Sequence, residues 1–174
     1  MKIKDKNFEI LHSQEKIISI VNSISTQMNK DLSDKDVIFL GILNGSFMFA
    51  SDLLKNINFN VEISFLKIAS YQGTSSTGNV QRLIGINEDI KDKTVVIIED
   101  IVESGNTLES IIKQLNGYEP KEIKIATLLF KPKTYLKTIP IDYIGFEISD
   151  EFIVGYGLDY DGHGRNYKDI YQNI

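Results

Sequence analysis

Thr94-Val-Val-Ile-Ile-Glu99-Asp100-Ile-Val-Glu103-Ser104-Gly105-Asn106-Thr107-Leu108 is the stretch on which the fold turns. Thr94 to Ile98 is a short apolar run with β-branched residues throughout, which predicts a buried strand. Two carboxylates stand at its end, and a loop of small residues follows. From Thr107 to Leu115 the pattern is helical. Strand, small-residue loop and helix in that order are the repeating unit of an α/β protein. Ser104, Gly105, Asn106 and Thr107 offer hydroxyls and backbone N–H groups at a helix start, where the donors are unpaired and the helix dipole favours an anion. Glu99 and Asp100 would repel a phosphate. They suit sugar hydroxyls, or a Mg²⁺ that bridges to other phosphates. The loop alone therefore suggests a ribose phosphate with a metal nearby, and a capped helix without a ligand is the plainer alternative.

Outward from this stretch the same alternation continues. Val37-Ile-Phe-Leu-Gly-Ile-Leu43 reads as a buried strand, Asn44-Gly45-Ser46 as a tight turn, and the residues to about Lys55 as a helix. Val61 to Ile68 is a strand. Ser70 to Asn79 is polar and should be mobile, and Arg82 to Ile86 would pair across it as a hairpin. Ile123 to Phe130 and Ile141 to Ile148 are further strands. Upstream, Ile17, Val21, Ile24 and Met28 recur at helical spacing within residues 14–30, with Ser13 as the expected N-cap. The tail from Gly155 shows no periodicity. A mainly parallel sheet flanked by helices is the expectation, because parallel neighbours need crossover helices. Ligands of such sheets lie beyond the carboxyl ends of the strands.

Composition narrows the chemistry. The 174 residues carry 24 acidic and 19 basic side chains, a net charge of -5 that argues against a broad nucleic-acid footprint. Cysteine is absent, which excludes disulfides, thiolate metal sites and a cysteine nucleophile. No apolar run is long enough to span a membrane, and residues 1–11 lack the apolar stretch of a secretory signal, so a cytoplasmic protein of one domain, residues 1–174, is expected. Neither G-x-x-x-x-G-K-[ST] nor G-x-G-x-x-G occurs. Asp159-x-Asp161-Gly162 lacks the remaining ligands of a calcium loop, and His163, with no partner in view, reads as a loop residue.

The 94–108 stretch resembles the phosphoribosyl-pyrophosphate (PRPP) signature of the type I phosphoribosyltransferases. Leu43-Asn44-Gly45-Ser46-Phe47 looks like the pyrophosphate loop of the hypoxanthine-guanine branch, and Ser70-Tyr71 opens a stretch similar to its mobile catalytic loop. Leu129-Phe130-Lys131 and the run from Gly145 to Tyr160 look like its purine-binding region, with Arg165 following in place. The match spans about residues 36–168 in one order. The resemblance implies the type I fold, with a small hood formed by the N- and C-terminal segments. It implies a reaction in which a 6-oxopurine (hypoxanthine, with guanine) displaces pyrophosphate from PRPP, with Mg²⁺ as cofactor, in purine salvage.

The roles implied by the resemblance attach to particular residues. Ser104, Gly105, Asn106 and Thr107 would hold the 5′-phosphate, and Glu99 and Asp100 the ribose hydroxyls. Glu103 would be the general acid/base near N7. Asn44, Gly45 and Arg165 would meet pyrophosphate. Lys131 would donate to O6, Phe152 would stack on the purine, the backbone of Ile153 would read its edge, and Asp159 would lie near the 2-position. Glu99, Asp100 and Asp159 are the expected metal ligands. Ser70 and Tyr71 would open the closing loop. A homodimer or homotetramer is expected, with no nucleic-acid or membrane partner. Three positions depart from the family: Glu103 stands where Asp is usual, Asn44 where Lys or Arg is common, and Asn106 where some relatives have Lys. The family peptide before residue 44 is often cis. A PRPP- or nucleotide-sensing regulator on the same fold is the alternative, although it should show a basic surface. A pyrimidine phosphoribosyltransferase would explain the PRPP loop but not Lys131, Phe152 and Asp159. Taken alone, Lys131 is a surface lysine, and Arg165 could merely pair with Asp159 or Asp161.

Overall fold

The computed structural model describes the backbone of residues 1–71, 80–84 and 87–174, with side chains for 1–67 and 87–174. A six-stranded sheet forms its centre, in spatial order β5 (Val80–Ile84), β4 (Glu62–Tyr71), β3 (Val37–Leu43), β6 (Thr94–Val102), β7 (Glu122–Phe130) and β8 (Tyr143–Glu147). All neighbours are parallel except β4 and β5, which form an antiparallel hairpin. The expected α/β architecture is therefore present. The central strands read as continuous apolar runs because both faces of the sheet are covered.

On one face pack α1 (Gln14–Leu32) and α2 (Phe47–Leu54). Their Ile17, Val21, Met28, Phe49 and Leu53 meet Phe39, Val96 and Ile98 of the sheet. On the other, α3 (Asn106–Leu115) sets Leu108, Ile111 and Leu115 against Ile38, Leu40, Val95 and Ile97. Successive strand residues thus go to opposite cores, as the pleat requires. Each fully buried Leu or Ile contributes roughly 1.5–3 kcal/mol of transfer free energy, so these two stripes are the main hydrophobic stabilisation of the sheet.

A second, antiparallel sheet joins the two ends of the sequence: β1 (Lys2–Ile3), β2 (Lys6–His12), β10 (Ile170–Asn173) and β9 (Ile153–Val154), in that order. This is the expected hood. Ile3, Phe8 and Val154 form its own small core. Ile153, Tyr156, Leu158 and Ile170 join the core of the α1/α2 face, which ties the hood to the main sheet.

Several details differ from the sequence reading. β6 runs on through Glu99 and Asp100 to Val102, because Glu99, Ile101 and Val102 keep pairing with β7. β4 continues to Tyr71, so the backbones of Ser70 and Tyr71 lie in a strand rather than a loop; Gln81 and Val80 of β5 pair with them. Gln72–Asn79 and Gly85–Ile86 lie outside the described residues, as do the side chains of Ser70, Tyr71 and Arg82. Ser13 occupies the cap position of α1 but makes no side-chain capping bond. The Gln14 N–H is instead taken by Asp169 Oδ1 at 2.8 Å, a cap supplied from the far end of the chain.

Candidate active site

Two adjoining cavities lie at the carboxyl ends of β6 and β7, beside the segment from Glu151 to Asp159 that follows β8. The first, of about 270 Å³, is lined by Glu99 through Gly105 with Thr107 and Leu108. Its floor is the helix start. Gly105 caps α3 in the left-handed region at φ 81°, a conformation that costs glycine little. A Cβ there would lie 2.6 Å from the Tyr135 ring and 2.7 Å from Lys137 Cγ, so space as well as φ selects glycine. Ser104 Oγ accepts a bond from Asn106 N at 3.4 Å. Leu136 N donates to Ser104 O at 3.2 Å, which fixes the loop from behind.

Glu99 and Asp100 stand at the rear of this cavity. Glu99 is buried, and burial followed by the neighbouring Asp100 charge pushes its pKa well above the usual carboxylate range. Burial also raises Asp100, to about 6, against the opposing pull of a bond from Ile101 N to Oδ1 at 2.9 Å. The Asp100 carboxyl rests directly on Gly45: a Cβ at that glycine would lie 1.6 Å from Oδ2. Gly45 in turn meets the hood, since a Cβ on Gly157 would come within 2.0 Å of Gly45 O. The 44–46 turn is thereby wedged between Asp100 and the 155–158 turn. Leu43–Asn44 is a cis peptide, in keeping with the family resemblance.

The second cavity, of about 190 Å³, is lined by Asp100, Ile101, Glu103, Lys131, Glu151, Phe152, Ile153, Leu158 and Asp159. It shares Asp100, Ile101 and Glu103 with the first. Lys131 is not the surface lysine its type suggests; its side chain is 7% exposed. Its Nζ donates to Glu103 Oε1 at 2.5 Å and to Asp150 Oδ1 at 3.2 Å. Burial pulls the Lys131 pKa down, but the bonds to Glu103 and Asp150 outweigh it and the net shift is upward. Phe152 remains 45% exposed at the mouth, supported edge-on by Tyr160 with centroids 5.5 Å apart and by Phe8 at 6.2 Å. Lys6 Nζ lies 5.7 Å from the centroids of both the Phe152 and the Tyr160 ring.

Arg165 does pair with Asp159, at 2.6 Å, and it also donates to Gly157 O at 2.7 Å. Two of its five N–H groups are engaged, and the rest can meet a ligand. Asp159 Oδ2 accepts from Gly162 N at 2.7 Å, so the acidic 159–162 turn binds itself rather than forming an open cation loop. His163 is exposed and His12 lies away from both cavities, stacked on Phe146.

Among the described residues no three His, Cys, Asp or Glu side chains form a ready metal cage. The donors present are carboxylate oxygens, Glu99 and Asp100 from β6 and Asp159 from the hood. That set fits Mg²⁺, a hard cation that commonly takes one or two protein carboxylates and completes its shell with water and substrate phosphates.

Sequence reasoning placed Glu103 and Lys131 in the purine pocket but did not foresee their pairing. It gave no individual role to Asp150 or Gly157, although both lie in the Gly145 to Tyr160 run assigned to the purine-binding region, and it passed over Tyr135 and Lys6. Asp150 and Gly157 carried that regional signal, and Tyr135 and Lys6 carried none.

The phosphoribosyl transferase domain family matches residues 7–161. A hypoxanthine-guanine phosphoribosyltransferase of Staphylococcus aureus (strain Mu50 / ATCC 700699) is 41% identical over 167 residues, covering 95% of this chain and 89% of that protein. The crystal structure of a hypoxanthine phosphoribosyltransferase from Staphylococcus aureus superposes with a TM-score of 0.86 at 39% identity, over 95% of this chain and 91% of that one. A hypoxanthine-guanine phosphoribosyltransferase from Bacillus anthracis, with a HEPES molecule in its active site, superposes with a TM-score of 0.88 at 32% identity, over 98% and 100% of the two chains. On this likeness across nearly its whole length, the chain belongs to the phosphoribosyl transferase domain family, in the hypoxanthine-guanine phosphoribosyltransferase branch.

Proposed function

We propose that the chain transfers the 5-phosphoribosyl group of PRPP to a 6-oxopurine, hypoxanthine and also guanine, releasing IMP or GMP and pyrophosphate. The observation that carries this reading is the pair of cavities meeting at Asp100, Ile101 and Glu103. One has a helix start suited to a phosphate, the other an aromatic face and a buried ammonium suited to an oxopurine.

The reaction breaks the C1′–O bond to pyrophosphate and forms a bond from C1′ to a purine nitrogen. Residues 104–107 hold the 5′-phosphate with unpaired N–H groups and hydroxyls. Glu99 and Asp100 accept from the ribose hydroxyls. Phe152 stacks on the base, the Ile153 backbone reads its edge, and Lys131 donates to O6. An adenine amino group would present a donor to that ammonium, a buried mismatch that supports strong discrimination. Glu103 accepts or returns the proton at N7. Its side chain is one methylene longer than Asp, and it is bonded to Lys131.

Asn44, Gly45 and Arg165 receive pyrophosphate, with the Arg165 fork suited to paired oxygens. Asp159 lies by the 2-position. Mg²⁺, held through Glu99, Asp100 and Asp159, would neutralise the charge of the leaving pyrophosphate. The enzyme acts as one unit over residues 1–174, in the cytoplasm, as a homodimer or homotetramer without nucleic-acid or membrane partners. No helix among the described residues is long and apolar enough to cross a membrane, and the relatives named above are transferases, so no observation favours the sensing alternative.

The test is a product assay with PRPP and hypoxanthine, guanine, xanthine or adenine, each with and without Mg²⁺. IMP and GMP that depend on Mg²⁺, with no AMP, are expected. AMP as the main product, or no nucleotide from any base, would refute the reading.

A further inference from the structure

Asp150 lies just beyond β8, outside the residues given a role above. Three successive parallel strands end here side by side. Glu103 follows β6, Lys131 follows β7 and Asp150 follows β8. Backbone bonds from Lys131 N to Val102 O at 3.0 Å and from Ile148 N to Phe130 O at 2.9 Å lock these strand ends together. Across them the side chains make a row of carboxylate, ammonium and carboxylate.

The row is asymmetric. Lys131 is 7% exposed, whereas Glu103 is 54% and Asp150 72% exposed. A buried cation is costly unless its charge is paired. An ammonium has three donors; here two are engaged by carboxylates, which leaves one for a ligand acceptor. The reaction proposed above asks Glu103 to turn to N7, which takes away the shorter of the two bonds. Of the partners present, Asp150 alone then stays with the lysine.

We infer that Asp150 is a positioning residue, which holds the Lys131 ammonium at the O6 position when Glu103 leaves it for the purine. It acts through Lys131 and does not touch the reacting atoms. The inference rests on the reading of Lys131 as the O6 donor.

The experiment compares wild type with D150N, D150E, K131Q and the K131Q/D150N double variant. The readouts are kcat, KM for hypoxanthine and KM for PRPP, the hypoxanthine-to-adenine preference, and Tm. For D150N, KM for hypoxanthine should rise about 3- to 10-fold, the scale of one hydrogen bond, and the preference over adenine should fall. Its kcat, KM for PRPP and Tm should stay near wild type, and D150E should recover part of the loss. K131Q should be the more severe variant, and adding D150N to it should change nothing further. If K131Q leaves base KM and preference untouched, the O6 reading fails and takes the inference with it. If K131Q behaves as expected but D150N matches wild type, the inference alone is overturned. It is equally overturned if D150N shifts KM for PRPP and Tm together, or if the two substitutions add.

Discussion

Replacing Asp100 by Asn should stabilise the fold while disabling the site. Asp100 is ionised at neutral pH in a place that resists its charge. Burial lifts its pKa from 3.8 to about 6. A group whose folded pKa is raised favours folding while it is protonated, and that advantage disappears as pH climbs through the folded value. At pH 8 the carboxylate therefore costs at most about 3 kcal/mol. Asp100 keeps a partly exposed edge, so water reduces this and roughly 1–3 kcal/mol is expected. Asn keeps an oxygen for the Ile101 N–H and has nearly the same shape against Gly45. For a chain of this length the gain corresponds to roughly 2–12 °C in Tm.

Scanning calorimetry or urea melts of both proteins without ligand, from pH 8 to pH 5, supply the assay. The D100N advantage should be largest at pH 8 and fall to about half at pH 5, as the wild-type carboxyl takes up its proton. Turnover of D100N should drop by roughly two orders of magnitude, the scale of a lost charge-stabilising group. A D100N protein no more stable than wild type at pH 8, or an advantage independent of pH, would refute the claim that this carboxylate is held against its surroundings.

Gly45→Ala should do the opposite, because its Cβ would fall 1.6 Å from Asp100 Oδ2 and must displace it. A loss of roughly 1–3 kcal/mol, typical of overpacking, together with a raised KM for PRPP is expected, and a wild-type Tm and KM would contradict it. Glu103→Asp should retain substantial turnover and Glu103→Gln should lose it; equal rates for Gln and wild type would remove the acid/base role. His12 has both ring nitrogens buried without partners, and burial followed by the Lys16 charge lowers its pKa. Its protonation therefore opposes folding, and wild type should lose stability relative to His12→Phe as pH falls from about 7 to 5 through the ordinary histidine range. Parallel stability curves for the two proteins would exclude that account.

How much of this was legible in the sequence depended on the reach of each interaction. Val37–Leu43 was read with its true bounds, because a doubly covered parallel strand writes an unbroken apolar run. Glu99 to Val102 was misread as loop, since polar residues interrupt the run and only pairing with β7 keeps them extended. β1 and β9 have two residues each, too short for any period, and β2 and β10 meet across some 160 residues of sequence. Within the site, Lys131 and Phe152 have no local signature, and the family resemblance alone singled them out. For Asp150 the resemblance gave only the region, the run from Gly145 to Tyr160; its particular role rests on a bond to a lysine 19 positions earlier, visible only once three strand ends are aligned.

The β2–β10 pairing also bears on how the protein is made. Phe8 pairs with Asn173, and the hood that carries Phe152 depends on that register. Synthesis proceeds N-terminal first, at about 5–20 residues per second. The six-stranded sheet with its phosphate cradle can therefore begin to assemble while the ribosome is still adding residues, but β2 must wait, one edge unpaired, for β10 to emerge. A nascent chain that stalls late would hold a formed cradle and an unclosed purine pocket. Its exposed β2 edge is then the segment most in need of a chaperone.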